Sequence, residues 1–197
     1  AMDLTTAIKH AIDGQALLFL GSGFSYGAKP LVGDLFLTGR ELAKYLSGKC
    51  GIVPPVDELN FAAQRYRKKF DDDQLVNELK NLFTASSVSE SQKRFSEIPW
   101  RSIYTTNYDN VLEKAFAERR KKLVPITPDQ DGREYTAKSN SVVHINGYIE
   151  SLTPAMLSNS FKLTNTSYLT ESFSKSNWSF LFRRSLETCR AVIFVGY

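Results

Sequence analysis

Ala16-Leu17-Leu18-Phe19-Leu20 runs without a polar residue into Gly21-Ser22-Gly23-Phe24-Ser25-Tyr26-Gly27. Five consecutive apolar residues ended by a glycine-rich turn are the pattern of a strand buried on both faces, which is what the centre of a parallel sheet demands. The segment before it sets Leu4, Ile8 and Ile12 at four-residue spacing, with Asp3 or Thr5 as N-cap and Gly14 as a stop, and so predicts a helix. Helical spacing of Leu35, Leu42 and Leu46 predicts another over residues 34–46, and residues 57–83 read as two polar helices parted at Asp71-Asp72-Asp73, an acidic cluster suited to a helix N-terminus.

Further along, Arg101-Ser102-Ile103-Tyr104-Thr105 reads as a second strand, and the helix expected after Asn107 carries Val111, Leu112, Ala115 and Phe116 on one face. Residues 127–140 are turn-rich and polar, an exposed excursion; Ser141-Val142-Val143-His144-Ile145 is a third strand that breaks at Asn146-Gly147. Helical patterns at about 166–173 and 176–188 precede a last strand, residues 191–195. Strands alternating with helices predict an α/β fold, a Rossmann-like parallel sheet flanked by helices on both faces.

Size and composition agree with one such domain. The chain has 197 residues, 42% apolar and 23% charged, enough for a single core and too few for two. Disordered, fibrous and coiled-coil classes are excluded by that balance. No apolar run approaches the roughly 20 residues that span a bilayer, and Ala1 to His10 has no leader pattern, so a cytoplasmic protein without membrane contact is expected. Cys50 and Cys189 are the only cysteines, too few for a disulfide framework or a four-thiolate zinc site. Ala1 before Met2 reads as a cloning remnant. The strand that meets Gly196 and then ends reads as an interrupted strand–loop junction, so residues 1–197 are expected to be the N-terminal fragment of a longer chain.

Net charge is +4, and the densest basic run, Arg119-Arg120-Lys121-Lys122, reads as a solvated helix end, so direct nucleic-acid binding is not expected. Walker loops, histidine pairs at metal spacing and a Gly-x-Ser-x-Gly elbow are absent, which removes the usual zinc and serine hydrolase sets. The aromatic group Tyr168, Phe173, Trp178, Phe180 and Phe182 reads as core.

Ligands of parallel sheets bind beyond the carboxyl ends of the strands. Those ends carry Gly21-Ser22-Gly23, Thr106-Asn107-Tyr108-Asp109, Asn146-Gly147 and Gly196. Glycines at 21 and 23 let backbone approach a ligand, and amides at such a turn suit a pyrophosphate, although the spacing 21, 23, 27 departs from the dinucleotide fingerprint. Asn107 and Asp109, two apart, offer an amide and a carboxylate to one pocket, or one of them caps the following helix. His144, at a strand's carboxyl end, is either a satisfied core residue or the site's titratable base; His10 lies on the surface of the first helix.

Four pieces in this order, GSGFSYG at 21–27, TTNYD at 105–109, VVHINGYI at 142–149 and VIFVGY at 192–197, resemble the sirtuin-like fold, and more narrowly the bacterial sirtuin-like NADase domains of antiphage defence. SFKLTNTSYL at 160–169 is similar to the segment those domains carry after the histidine strand. The resemblance implies NAD as substrate, no metal, and cleavage to nicotinamide and ADP-ribose in an abortive-infection effector. It implies catalytic roles for Asn107 (ribose and water), Asp109 (carboxamide) and His144 (a ribose hydroxyl or the water). Gly21, Ser22, Gly23 and Ser25 would line the pyrophosphate, Thr106 and Asn146 would border the pocket, and Gly196 would open the adenosine-side loop. A homo-oligomer working with a downstream sensor module or a partner ATPase is implied as well.

Three departures qualify it. The zinc-ligand cysteines of deacetylating sirtuins are missing, as is their Pro-x-Phe-Arg element after the glycine loop. Many relatives place histidine directly before the glycine, where this chain has Asn146; residues 144 and 146 alternate onto one face of an extended strand, so either could enter the pocket. The alternatives to hydrolysis are a non-hydrolysing sensor of NAD or an ADP-ribose derivative, and a scaffold or assembly domain.

Overall fold

The computed structural model describes residues 2–132, 140–158, 161, 163, 173 and 177–197. In chain order its elements are α1 (Leu4–Ile12), β1 (Ala16–Leu20), a 3-10 turn at Ser22–Ser25, β2 (Lys29–Pro30), α2 (Gly39–Lys49), α3 (Leu59–Lys69), α4 (Asp72–Phe83), β3 (Ala85–Ser87) and α5 (Glu90–Arg94). There follow β4 (Ser102–Thr105), α6 (Val111–Glu118), β5 (Val124–Ile126), β6 (Ser141–His144), α7 (Asn177–Thr188) and β7 (Ala191–Val195).

Five strands form one sheet in the order β5-β6-β4-β1-β7, every neighbouring pair parallel. The short β2 and β3 pair antiparallel beside it. Residue alternation then feeds two faces. Leu18, Leu20, Ile103 and Val142 pack with Val111, Leu112, Ala115 and Phe116 of α6, whereas Leu17, Phe19, Tyr104 and Val143 pack with Trp178, Leu181 and Phe182 of α7. The unbroken apolar run 16–20 is the consequence: β1 is central and every one of its residues is buried. Helices α2, α3 and α4 have a core of their own, in which Leu42, Leu46, Leu59, Leu75 and Leu79 meet Ile149, Leu152 and Phe161 from the segment after β6.

The structure departs from the sequence expectations in several places. The helix expected over 34–46 starts at Gly39, because Thr38 and Glu41 form a capping box: Glu41 N donates to Thr38 Oγ1 and Thr38 N to Glu41 Oε2. In α1 the stripe Leu4, Ile8 and Ile12 faces outward, since the helix docks through Ala7 and Ala11 against Ala16 and Ala191. Strand β5 was not expected; it is three residues long and contains Pro125, tolerated at a sheet edge. Of the aromatic group, Phe173 and Trp178 are buried, Phe182 packs against them, Phe180 is exposed, and Tyr168 lies outside the described residues together with most of the helix expected over 166–173. Among the described residues no helix is long and apolar enough to cross a membrane.

Candidate active site

Strand register aligns the four breaks. Leu20 pairs with Thr105 and with Val195, and Thr105 pairs with His144, so the next residues of all four strands emerge along one edge. A cleft of about 230 Å³ opens there. Ser22, Ser25, Thr106, Asn107, Asp109 and Asn146 line one side of it. The other side is built by Phe36, Leu37, Thr38, Gly39, Arg40 and Leu42 at the start of α2, with Phe83 and Tyr108 between. That volume sits just under the usual range of about 300–1,000 Å³ for small-molecule pockets.

Ser25 and Asp109 are joined. Ser25 Oγ donates to Asp109 Oδ2 at 2.6 Å, while Val111 N donates to Asp109 Oδ1 at 3.1 Å, so one carboxylate both caps α6 and reaches the cleft. Accepting from the first turn of α6 and lining the cleft are therefore compatible for Asp109. Burial pushes its carboxyl up to about 6, against the opposing pull of the Ser25 hydroxyl and the Val111 amide; the Glu113 carboxylate adds to the rise.

Asn107 is tied on several sides. Its Nδ2 donates to Gly21 O at 2.9 Å and to Ser25 Oγ at 3.3 Å, and its backbone N donates to Thr105 Oγ1 at 3.0 Å. The side chain thus bridges the β4 loop to the glycine turn. Asn146 lies close by, its Nδ2 donating to Thr106 O at 3.0 Å, and its Oδ1 is buried with no hydrogen-bond partner among the described residues although the residue borders the cleft.

His144 stands elsewhere. It is 1% exposed and does not line the cleft; one ring nitrogen, Nδ1, lies 2.9 Å from Asn107 O and the other, Nε2, lies 2.6 Å from Glu113 Oε1. The alternation that would set 144 and 146 on one face fails because β6 ends at His144: Gly147 N donates to His144 O, and Gly147 has φ +106°. That turn sends Asn146 toward the cleft and leaves His144 beneath the Asn107 peptide.

The glycines serve close packing. A Cβ on Gly21 would lie 2.6 Å from Gly196 O, one on Gly23 would lie 2.9 Å from Gly196 Cα, and one on Gly196 would lie 2.2 Å from Phe24 N. Gly23 N donates to Gly196 O and Gly21 N to Val195 O. These amides hold the β7 loop, and the Tyr197 hydroxyl shares a hydrogen bond with Thr106 Oγ1 at 3.1 Å. Gly21, Gly23 and Gly196 are adjacent to the cleft and set its shape; they do not line it.

The α2 wall was not anticipated from sequence. Its one legible signal was the capping pair Thr38 and Glu41, which marks a helix N-terminus and brings Arg40, the cation among the described cleft residues, to the mouth. Arg40 pairs with Asp57 at 3.7 Å on an exposed surface.

A parallel α/β sheet whose ligand cleft lies at the carboxyl ends of its central strands is the architecture of nucleotide-binding proteins. Residues 101–197 match the family model of the SIR2-like domain. The matched stretch, just under half of the chain, supplies Thr106, Asn107, Asp109, His144, Asn146 and Gly196; it is similar to a SIR2-like domain, and SIR2-like domains act on NAD. Glycine-turn residues 21–25 lie outside the matched stretch and join it through the pairing of β1 with β4 and β7. No curated protein matches the chain in sequence.

Proposed function

We propose that this protein is an NAD glycohydrolase, cleaving NAD to nicotinamide and ADP-ribose. The observation that carries the reading is the convergence of Asn107 and Asp109 with Ser25 in one cleft, linked by the 2.6 Å Ser25–Asp109 hydrogen bond. Breaking an N-glycosidic bond moves positive charge from the pyridinium onto the ribose. Asp109, held dry beside the reacting end, offers a carboxylate to that oxocarbenium-like state once ionised. Asn107 is fixed on both its backbone and its side chain, as a group that orients ribose and water must be. Arg40 at the mouth supplies a cation for the pyrophosphate.

The four ordered motifs further support a role as an antiphage effector, a cytoplasmic homo-oligomer that depletes NAD when a downstream sensor module or partner ATPase activates it. A second reading, a non-hydrolysing NAD or ADP-ribose sensor, is favoured by one observation: the residue before Gly147 is Asn146, and no imidazole lines the cleft among the described residues. Incubation with NAD, followed by chromatography for nicotinamide and ADP-ribose, separates these readings. Turnover that Asn107→Ala abolishes supports hydrolysis; saturable binding without product supports the sensor; neither leaves the scaffold.

A further inference from the structure

We propose that Glu113 and His144 form a buried positioning pair that acts on Asn107 from the side of the loop away from the cleft. The inference rests on the reading of Asn107 as a site residue and deepens it. Both ring nitrogens of His144 face acceptors: a backbone carbonyl at 2.9 Å and a carboxylate oxygen at 2.6 Å. A neutral imidazole carries one N–H and would set a lone pair against one of those oxygens. With Glu113 ionised, the geometry calls for an imidazolium, paired with the Glu113 carboxylate and donating through Nδ1–H to Asn107 O.

The surroundings agree with this charge state. Tyr148 lies against the ring at 4.6 Å between centroids, placing an aromatic face by the cation. The charged and titratable groups around His144 are Glu113 from α6, Asp109 from the β4 loop and Tyr148 from the turn after β6. Burial lowers the basicity of the imidazole, but Glu113, the Asn107 carbonyl and Asp109 outweigh it and leave it raised above its ordinary value. His144 is then a strut and not a base facing substrate. With its carbonyl anchored by His144 and its N–H by Thr105 Oγ1, the Asn107 peptide cannot rotate, and its side chain is aimed at Gly21 and Ser25.

Two substitutions separate charge from contact. In Glu113→Ala the ring loses its anchor, whereas in Glu113→Gln the amide can donate to a neutral imidazole that still gives Nδ1–H to Asn107 O. Expected for Glu113→Ala is a kcat about tenfold lower with KM for NAD within twofold of wild type. Glu113→Gln should recover to within about threefold. Wild-type kcat should fall on the alkaline side as His144 loses its proton, and that limb should be absent in Glu113→Gln. Nitrogen-15 NMR of the imidazoles gives a readout independent of turnover, because His10 and His144 are the only histidines. His144 should show two protonated nitrogens at pH 7, and the Asn107 amide should exchange about tenfold faster in Glu113→Ala. A wild-type His144 with one unprotonated nitrogen at pH 7, or unchanged Asn107 exchange in Glu113→Ala, overturns the proposal. Absence of NAD turnover in the wild type overturns the hydrolase reading alone, and the NMR measurements then decide the pair.

Discussion

Ser25 and Asp109, 84 positions apart in the chain, meet at 2.6 Å because β1 and β4 are adjacent parallel strands whose loops leave the sheet side by side. The hydroxyl does two things for the carboxylate. It satisfies an oxygen that would otherwise be buried bare, and it lowers a pKa that burial has raised. Ser25→Ala removes both effects, so the Asp109 pKa should climb beyond about 6. If cleavage needs the ionised carboxylate, the acid limb of the kcat profile should move up by about one pH unit, so that kcat falls about twofold at pH 7 and about fivefold at pH 6. A pH profile of NAD turnover for the two proteins checks this.

The same burial makes Asp109 a liability to the fold. Its carboxyl ordinarily titrates near 3.8 and here near 6, so between those values the folded chain holds a proton that the unfolded chain has released. Stability therefore falls as pH rises through that window, and the full penalty, on the order of 3 kcal/mol, persists above it. Asp109→Asn carries no charge and can still accept from Val111 N while its amide donates to Ser25 Oγ. It should abolish turnover yet raise Tm at pH 8, with little difference at pH 4. Thermal melts at the two pH values test the sign.

How much of this was legible depended on whether the deciding physics was local. The parallel sheet was readable because β1 is apolar on both faces, and strand breaks at Gly21, Thr106, Asn146 and Gly196 announce one edge when strands run the same way. That Asn107 and Asp109 reach one cleft was readable from their spacing after β4. The orientation of His144 was not, since period-two alternation holds only inside a strand and β6 stops at His144 itself. Nor was the α2 wall, where Phe36 and Arg40 reach the cleft through packing of a separate helical layer that no short-range pattern encodes. The outward stripe of α1 shows the same limit: spacing reveals that Leu4, Ile8 and Ile12 share a face, and tertiary docking decides which face is covered.

Gly196 should tolerate no side chain. Its φ is +80°, and an added Cβ would stand 2.2 Å from Phe24 N and 2.7 Å from the carbonyl carbon of Gly23. Neither neighbour is a side-chain tip that could swing away, because both belong to the turn that Gly23 N and Gly196 O hold together. Gly196→Ala should cost at least about 2 kcal/mol, roughly 4–8 °C in Tm for a chain of this size. Because the displaced backbone carries Ser22 and Ser25, NAD binding should weaken with it. A melt and an NAD titration on the same sample test both effects.

Asn146 offers the opposite case, a residue whose loss should harm binding more than folding. Among the described residues its Nδ2 makes one hydrogen bond, to Thr106 O, and its Oδ1 is buried without any. Asn146→Ala forfeits the first, worth about 1 kcal/mol, but also removes a bare buried acceptor that costs a similar amount, so the net change in stability should be within about 1 kcal/mol. Substrate meets a different balance. In the wild type a ligand N–H or O–H, such as the nicotinamide carboxamide or a ribose hydroxyl, would satisfy Oδ1; in the variant that donor loses its partner. We expect NAD affinity to drop about tenfold with Tm nearly unchanged, measured by calorimetric titration alongside a thermal melt. An unchanged affinity would mean that the open acceptor on Asn146 is met by something other than substrate.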